Sequence, residues 1–197
     1  MIDLFIFDEG GVLIRDYNVL PGAATALGMS SDELRRLLPP EMAAYSRGTI
    51  DNTEFWKRFT ARTGIAPKED YWRTLFKPTR DEPTFAIVRE LAAKSRVVCG
   101  TNTIDCHHAI NEELGMYEPF HVVYASHLIG FAKPDPAFWL HILDKEGISP
   151  ERAFFVDDSA DNVEAARNLG LVARLYTGAT QLRADLLELG AQLPETR

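Results

Sequence analysis

The pattern of apolar and polar positions changes near residue 80, and the two sides of that point predict different architectures. From residue 84 onward, short apolar runs alternate with segments whose apolar residues recur at helical spacing. An earlier run, I-D-L-F-I-F over residues 2–7, has the aromatic and β-branched composition of a buried strand. The predicted strands cover residues 2–7, 96–99, 121–125, 153–156 and 171–176, and the predicted helices cover 84–94, 105–115, 136–146, 162–169 and 182–189. We therefore predict an α/β fold, a doubly wound parallel sheet of about five strands with helices on both faces.

The segment between the first strand and residue 76 is helical wherever it is periodic. Ser30 with Glu33, and Asp51 with Glu54, have the spacing of capping boxes at helix N-termini. We interpret the aromatic residues at helical spacing in this segment as the core of a small bundle, and a substrate-binding aromatic box is the alternative. They are Phe55, Phe59, Trp56, Tyr71, Trp72 and Phe76.

This change of pattern predicts two domains. Residues 1–14 and 80–197 form the α/β core, and residues 15–79 form an all-helical domain inserted after the first strand. Residues 77–83, K-P-T-R-D-E-P, have the composition of a linker that leads back to the core.

Polar residues follow three of the predicted strands at the point where each strand ends. Asp8 follows the first strand, Thr101 and Asn102 follow the second, and Asp157 and Asp158 follow the fourth. Ligands of doubly wound sheets bind beyond the carboxyl ends of the strands, where the strand order reverses. We expect these side chains to meet there, although Asp8 alone would equally suit an ordinary turn.

The chemistry of these residues predicts a cation and a phosphate. Asp8, Asp157 and Asp158 would repel one another if they were ionised and dry, and a hard divalent ion such as Mg²⁺ resolves this repulsion. Lys133, in G-F-A-K-P-D-P, is followed by Pro134 and Pro136, which restrict the backbone just before a helix, so we expect a positioned ammonium; an ordinary surface lysine is the alternative. Such a site suits phosphoryl transfer, in which Asp8 attacks phosphorus and water hydrolyses the resulting aspartyl-phosphate.

Net charge and cysteine content limit the classes of partner and the cellular compartment that we expect. The 197 residues carry a net charge of −8, which argues against nucleic acid or an anionic membrane as a partner. No apolar run approaches the length of a membrane span. The two cysteines lack the spacing of a metal site and are too few for a disulfide framework, so we expect a cytoplasmic protein. The helical segment allows a monomer or a homodimer.

Four motifs, in order along nearly the whole chain, resemble those of the haloacid dehalogenase (HAD) superfamily. They are F-D-E-G-G-V-L with Asp8, V-C-G-T-N with Thr101, G-F-A-K-P-D-P-A-F with Lys133, and F-F-V-D-D-S-A-D-N-V-E-A-A-R-N-L-G with Asp157 and Asp158. The resemblance implies a HAD-like, Rossmann-type core and a helical cap of the first type, which closes over a small phosphorylated substrate. It also implies catalytic roles for Asp8 as nucleophile, Thr101 as phosphate-binding hydroxyl and Lys133.

The same resemblance implies the metal ligands. Mg²⁺ would be bound by Asp8, by Asp158 as the more direct ligand of the acidic pair with Asp157 beside it, and by the backbone carbonyl of Gly10.

One position departs from the family pattern. Phosphatases of this family usually carry an aspartate two residues after the nucleophile that protonates the leaving group, and here that residue is Gly10. Loss of a general acid commonly slows a reaction by about 10²–10⁴-fold. Glu9 is the adjacent acid, but neighbouring side chains of an extended segment point in opposite directions, so we do not expect it to be a simple replacement.

Three functions remain open at this point. The first is a phosphatase, because a bacterial branch that this sequence resembles, with sugar-1-phosphate phosphatases among its members, also has glycine at this position. The second is a dehalogenase, whose leaving halide needs no proton, although such enzymes carry an aromatic–Gly–Thr sequence after the nucleophile and need no metal. The third is a binding protein that keeps the site without turnover.

Substrate contacts are expected from a wider set of residues. Besides Thr101 and Lys133, we expect Asn102 to contact the substrate. Arg15 and its neighbour Tyr17 lie on the link into the cap near the site, and Arg47 lies at a cap turn before a glycine, where a specificity loop could face the core. The alternative for the two arginines is surface and cap packing.

Overall fold

A five-stranded sheet forms the centre of the computed structural model, which describes residues 1–194. The strands are β1 (Leu4–Phe7), β2 (Ile14–Arg15), β3 (Thr79–Arg80), β4 (Arg96–Thr101), β5 (Val122–Ala125), β6 (Ala153–Asp157) and β7 (Val172–Leu175). The sheet has the order β5-β4-β1-β6-β7, and all of its pairings are parallel. The predicted doubly wound α/β fold is confirmed.

The helices separate into two groups along the chain. The first five lie between β2 and β3: α1 (Leu20–Ala26), α2 (Ser31–Leu37), α3 (Glu41–Ser46), α4 (Asn52–Thr63) and α5 (Tyr71–Thr74). The others connect or follow the strands of the sheet: α6 (Glu82–Ala92), α7 (Asp105–Glu113), α8 (Ser126–Ile129), α9 (Pro136–Glu146), α10 (Ala160–Asn168) and α11 (Ala179–Glu188). Among the described residues, no helix combines the length and apolar composition needed to cross a bilayer.

Strand β1 lies at the middle of the sheet because its side chains are apolar on both faces. All four of its residues are buried. Phe5 and Phe7 pack in the apolar cluster on one face, whereas Leu4 and Ile6 pack in the cluster on the other. A strand without a polar face is stable only where helices cover both sides of the sheet.

The position of β1 fixes the position of the site. The chain leaves β1, forms β4 and β5 on one side, and then returns to form β6 and β7 on the other side. The strand order therefore reverses at β1, and a crevice opens beyond its carboxyl end.

The inserted helices begin where the sequence predicts. The Ser30 hydroxyl accepts a hydrogen bond from the Glu33 backbone N–H at 3.2 Å, and the Asp51 carboxylate accepts one from the Glu54 N–H at 2.8 Å. The aromatic side chains of the segment are buried and stack on one another, as in the rings of Trp56 and Trp72, whose centroids lie 5.3 Å apart. Most of them therefore serve packing.

A short two-stranded ribbon joins the helical segment to the sheet. Ile14 and Arg15 of β2 pair antiparallel with Arg80 and Thr79 of β3. The prediction that residues 77–83 are only a linker is therefore wrong in part, because the ribbon includes Thr79 and Arg80. The ribbon straddles both predicted domain junctions, and the division into 1–14 with 80–197 and 15–79 stays a proposal.

Candidate active site

Three of the predicted site residues lie at the carboxyl ends of adjacent strands. Asp8 follows β1 directly, Thr101 ends β4 and Asp157 ends β6. Because β1 lies between β4 and β6, these residues converge at one edge of the sheet, where they line a cavity of about 170 Å³. The rest of the lining is formed by Glu9, Gly10, Ile14, Tyr17, Phe76, Asn102, Thr103, His107, Lys133, Asp158 and Asn162.

Lys133 lies at the back of this cavity, on the loop between α8 and α9. Its side chain is 1% exposed, so it is not a surface lysine. The ammonium donates to Asp8 Oδ1 at 2.6 Å, to Asp157 Oδ2 at 2.7 Å and to the Gly100 carbonyl at 2.9 Å. These bonds use all three of its donors and fix its position.

The buried charges of the site favour the ionised form of Lys133 more than that of Asp8. Burial by itself lowers the pKa of Lys133, but the adjacent charges of Asp8 and Asp157 outweigh burial and raise it, so the ammonium stays charged. Burial raises the pKa of Asp8, and the ammonium of Lys133 opposes that rise without cancelling it. A further cation near Asp8 would therefore favour its carboxylate form.

Three carboxylates face the cavity closely enough to share a metal ion. Oxygen atoms of Asp8, Asp157 and Asp158 lie within 4.8 Å of one another. An all-oxygen donor set of this charge fits Mg²⁺, which prefers carboxylate and carbonyl ligands. Gly10 lines the same cavity, where its backbone carbonyl is the fourth ligand that the sequence predicts.

The two adjacent acids at the end of β6, Asp157 and Asp158, differ in how many hydrogen-bond donors of the protein they already bind. Asp157 is fully buried and accepts hydrogen bonds from Lys133, from the Ser159 backbone N–H at 2.8 Å and from the Asn162 amide at 3.1 Å. Asp158 is exposed, and its only described side-chain partner is the Tyr17 hydroxyl at 3.4 Å. Asp158 is thus the freer of the two to bind a cation directly.

Gly11 permits the approach of Asp158 to the first loop. Its φ of +78° is in the left-handed region, and a Cβ at this position would lie 2.0 Å from Asp158 Oδ2. A glycine at this position therefore permits both the turn of the backbone and the close approach of the Asp158 carboxylate.

Tyr17 occupies the space beside Gly10. A Cβ at Gly10 would lie 3.2 Å from the Tyr17 ring, which also lines the cavity. Because residue 10 is glycine, the general acid implied by the family resemblance is absent. The Tyr17 ring partly covers the space that an acidic side chain would occupy. Tyr17 is 37% exposed, so the ring has room to move outward.

Glu9 lines the cavity, but its buried carboxylate is engaged with neighbouring side chains. Its carboxylate accepts hydrogen bonds from the Thr101 hydroxyl at 3.0 Å and from the Asn111 amide. Burial raises the pKa of Glu9. The expectation that Glu9 is no simple replacement for the missing acid agrees with these contacts, but its bond to Thr101 was not predicted.

Asn102 contacts the lysine loop with both ends of its amide. Its Oδ1 accepts from the Lys133 backbone N–H and its Nδ2 donates to the Lys133 carbonyl, both at 2.8 Å. The amide thus holds Lys133 in place, and because Asn102 also lines the cavity, its contact with substrate stays a prediction.

Arg15 does not line the cavity, in contrast to its predicted role. Its guanidinium forms an ion pair with Asp81 at 2.7 Å and also donates to the backbone carbonyl of Gly11. These contacts tie the ribbon to the loop after Asp8, so the alternative of a packing role describes Arg15 better.

Arg47 also lies outside the cavity lining. Its guanidinium approaches Asp135 at 3.9 Å, and both side chains are about half exposed. The neighbouring Gly48 does face the core, because a Cβ there would lie 1.9 Å from the His127 carbonyl oxygen. The cap turn thus packs on the core, as expected. The Arg47 side chain, in contrast, forms an exposed ion pair with Asp135.

His107 is a cavity residue that sequence reasoning missed. It lines the cavity, its ring stacks on Phe76 with centroids 3.8 Å apart, and its Nε2 lies 2.8 Å from the Trp72 carbonyl oxygen. Burial lowers the pKa of His107 to about 4, so the ring is neutral at neutral pH. The sequence signal that could have found it is its position in the first turn of a helix that starts from a site strand.

The contact between Gly11 and Asp158 predicts a specific loss of metal binding. We expect Gly11→Ala to weaken Mg²⁺ binding by about 10- to 100-fold, because a Cβ would displace Asp158 from the other two carboxylates. Isothermal calorimetry of the intact protein with Mg²⁺ measures this change.

Gly147→Ala is the matched control for this substitution. Gly147 also has a positive φ, +66°, but a Cβ there meets nothing within 4 Å. Gly147→Ala therefore introduces similar backbone strain and should leave Mg²⁺ affinity unchanged. Equal affinities of the Gly11→Ala variant and the wild-type protein would contradict this account of Gly11.

Two curated relatives align with almost the whole chain. A sesquiterpene phosphatase from Aspergillus oryzae is 27% identical over 191 residues, which covers 93% of this chain and 94% of the relative. A flavin mononucleotide hydrolase from Arabidopsis thaliana is 30% identical over 198 residues, which covers 96% of this chain and 78% of the relative.

Solved structures share the fold. A HAD family enzyme from Bacteroides thetaiotaomicron, solved as a magnesium complex, has a TM-score of 0.74 at 22% identity and covers 89% of this chain and 93% of its own. The L-2-haloacid dehalogenase from Xanthobacter autotrophicus has a TM-score of 0.64 at 18% identity. The alignment covers 98% of this chain and 85% of the dehalogenase.

The family follows from a match that includes every motif of the site. The family model of haloacid dehalogenase-like hydrolases matches residues 2–170, a range that begins before Asp8 and ends after Asp158. The fold, the site at the carboxyl ends of the strands and the 30% identity to a full-length relative agree with that match. The chain belongs to the haloacid dehalogenase-like hydrolases.

Proposed function

We propose that this hydrolase is a Mg²⁺-dependent phosphatase that hydrolyses a small phosphorylated metabolite through an aspartyl-phosphate on Asp8. The observation that carries the proposal is the ammonium of Lys133, which binds Asp8 at 2.6 Å inside a cluster of three carboxylates suited to a divalent cation. Relatives that act as phosphatases, and fold neighbours solved with magnesium, support it.

The nucleophile is prepared by its position and its partner. Asp8 lies at the end of a fully buried strand, and Lys133 holds one of its oxygens in place. Attack of the carboxylate on phosphorus forms the acyl-phosphate bond and breaks the ester P–O bond, and the organic group leaves as an alkoxide that takes its proton from water. Water then attacks phosphorus, which releases inorganic phosphate and restores Asp8.

The negative charge of the phosphoryl group is balanced by groups fixed before it binds. Lys133 supplies one positive charge, and Thr101 faces the same cavity. Asp8, Asp158 and the Gly10 carbonyl would hold Mg²⁺, with Asp157 behind them, and the ion would neutralise phosphate oxygens when bound. The bond from Thr101 to Glu9 fixes the direction of the threonine side chain.

The leaving group receives no proton from the position that usually supplies it. Gly10 has no acid, and Glu9 is engaged with Thr101 and Asn111. We infer that turnover depends on substrates whose alcohols leave readily. The sugar phosphate expected from the sequence, with its anomeric leaving group, stays a prediction.

A dehalogenase is the second candidate. The absence of an acid at Gly10 suits a halide leaving group, and a haloacid dehalogenase shares the fold. The cluster of three carboxylates favours the phosphatase, because it suits a divalent cation, which phosphoryl transfer uses and which the dehalogenases do not need.

The nucleophile is tested by Asp8→Asn. We expect phosphate release from p-nitrophenyl phosphate and from a panel of sugar phosphates, with Mg²⁺ present, to fall by at least about a thousandfold, because an amide cannot form the covalent intermediate. Asp144→Asn makes the same chemical change at an exposed position of α9 and should retain wild-type turnover.

Other outcomes of this experiment would select the other functions. Unchanged phosphate release by Asp8→Asn would reject the nucleophile. Chloride release from 2-chloropropionate that persists in EDTA would support the dehalogenase. Binding of a phosphorylated sugar by the wild-type protein without turnover above buffer would support a binding protein.

The missing acid is tested by Gly10→Asp. We expect this variant to hydrolyse alkyl phosphates at least about tenfold faster, within the range of a general acid, and to leave p-nitrophenyl phosphate nearly unaffected because nitrophenolate leaves without a proton. Steady-state rates on the two substrates measure the effect. An equal change on both would show that the substitution acts through something other than protonation, such as displacement of the Tyr17 ring.

A further inference from the structure

A second cavity of about 290 Å³ opens beside the catalytic one. The two cavities share four lining residues, Tyr17, Asn102, Thr103 and His107, so they are continuous. The second cavity lies between the helical segment and the loop after β4, and it has no part in the proposed chemistry. We call it the apolar cavity.

The lining of the apolar cavity is hydrocarbon-rich and uncharged. Six of its residues are apolar or indole side chains, and they come from both the helical segment and the core: Val19, Leu20, Leu38, Met42, Trp72 and Ile104. No Asp, Glu, Lys or Arg lines it within the part of the chain that the structure describes. His107 adds no charge, because burial lowers its pKa to about 4.

The place of the apolar cavity argues that it binds a ligand and is not a packing defect. Protein interiors hold few voids larger than a water molecule, because unfilled space forfeits contacts. Here well-packed elements surround the space, including Trp72, which is 2% exposed and stacks on Trp56. Binding sites are typically apolar cavities that adjoin a few convergent polar groups, and the catalytic cavity supplies those groups.

We propose that the apolar cavity binds the organic group of the substrate, and that this group is mainly hydrocarbon. This inference rests on the proposed function, which places the phosphate at Asp8 and Lys133. The cavity volume is many times the roughly 15 Å³ of such space that one water molecule needs, so the cavity has room for a group of several non-hydrogen atoms. A hydrocarbon group gains free energy by leaving water for this lining.

A sugar fits the apolar cavity poorly. Its hydroxyl groups would lose hydrogen bonds to water and find few replacements. Half of the lining residues have polar side chains, but the amide of Asn102 is already bonded at both ends to the Lys133 backbone and the His107 Nε2 lies 2.8 Å from the Trp72 carbonyl oxygen. The substrate class that the cavity favours is therefore an alkyl, isoprenoid or similarly apolar phosphate monoester.

The first test is a series of n-alkyl phosphates from butyl to octyl, assayed with Mg²⁺. All have primary alkanols as leaving groups, so chain length changes the apolar contact and not the chemistry. We expect kcat/KM to rise about three- to fourfold for each added methylene until the cavity is full. We also expect octyl phosphate to exceed glucose 6-phosphate in kcat/KM, because both release a primary alcohol and only the octyl group suits the apolar lining.

The second test measures binding without turnover. Calorimetry with butylphosphonate and octylphosphonate, which carry no cleavable ester, should show the same dependence on chain length in the wild-type protein. Met42→Lys places an ammonium on a half-buried wall of the cavity and should flatten this dependence. Leu140→Lys is the matched control, because Leu140 is 50% exposed on α9 away from the cavity and its replacement should leave the dependence unchanged.

The outcomes separate this inference from the proposed function. Asp8-dependent phosphate release with no dependence on chain length, or with a preference for the sugar phosphates, would overturn the apolar substrate and leave the phosphatase intact. Tighter binding of octylphosphonate that is lost in Met42→Lys, without turnover of any phosphate, would support the apolar site and reject the phosphatase. Equal binding of the two phosphonates would overturn the inference whatever the turnover.

Discussion

The buried ammonium of Lys133 is the interaction on which the rest of the site depends. It compensates Asp8 and Asp157, two carboxylates whose burial would otherwise be unfavourable, and breaking such a buried pair typically costs about 3–5 kcal/mol. Three carboxylates and one ammonium leave a formal charge of −2, since −3 and +1 sum to −2, and a divalent cation balances it. The Mg²⁺ of the proposed function would balance this charge and favour the ionised form of Asp8.

The fold could be predicted from sequence where apolar pattern and capping residues agree. The helix over 136–146 is predicted with its observed bounds, because Pro136 begins it and Gly147 ends it in the left-handed conformation. The predicted helix at 84 begins instead at Glu82, since Asp81 caps it by accepting from the Thr84 N–H. The ribbon was missed because strands of two residues are too short to show a period.

The site could be predicted only as far as topology determines it. Asp8, Thr101 and Asp157 meet because the carboxyl ends of parallel strands meet, and that holds whatever packs around them. What neighbouring side chains do depends on tertiary packing: Glu9 turns inward to Thr101, and Arg15 is bound by Asp81. Such contacts leave no pattern along the chain, and so the packing alternative proved the better account of Arg15.

In the proposed function, the two cavities bind different parts of the substrate, the phosphate in one and the organic group in the other. The catalytic cavity holds every charged residue that faces the proposed phosphate, and the apolar cavity beside it is uncharged. Because Gly10 replaces the usual acid, the selectivity for substrate depends more on how the organic group binds and on how readily it leaves. Tyr17 and His107 lie where the two cavities join and contact both.

The central claim is that Asp8 becomes phosphorylated during turnover. The most direct measurement is peptide mass spectrometry of the enzyme quenched in acid during hydrolysis of p-nitrophenyl phosphate with Mg²⁺. We expect a peptide that contains Asp8 and carries the mass of one phosphoryl group. The corresponding peptide of the Asp8→Asn variant should lack this added mass. Turnover with no phosphorylated peptide at the earliest quench times, or with the phosphoryl group on another residue, would contradict it.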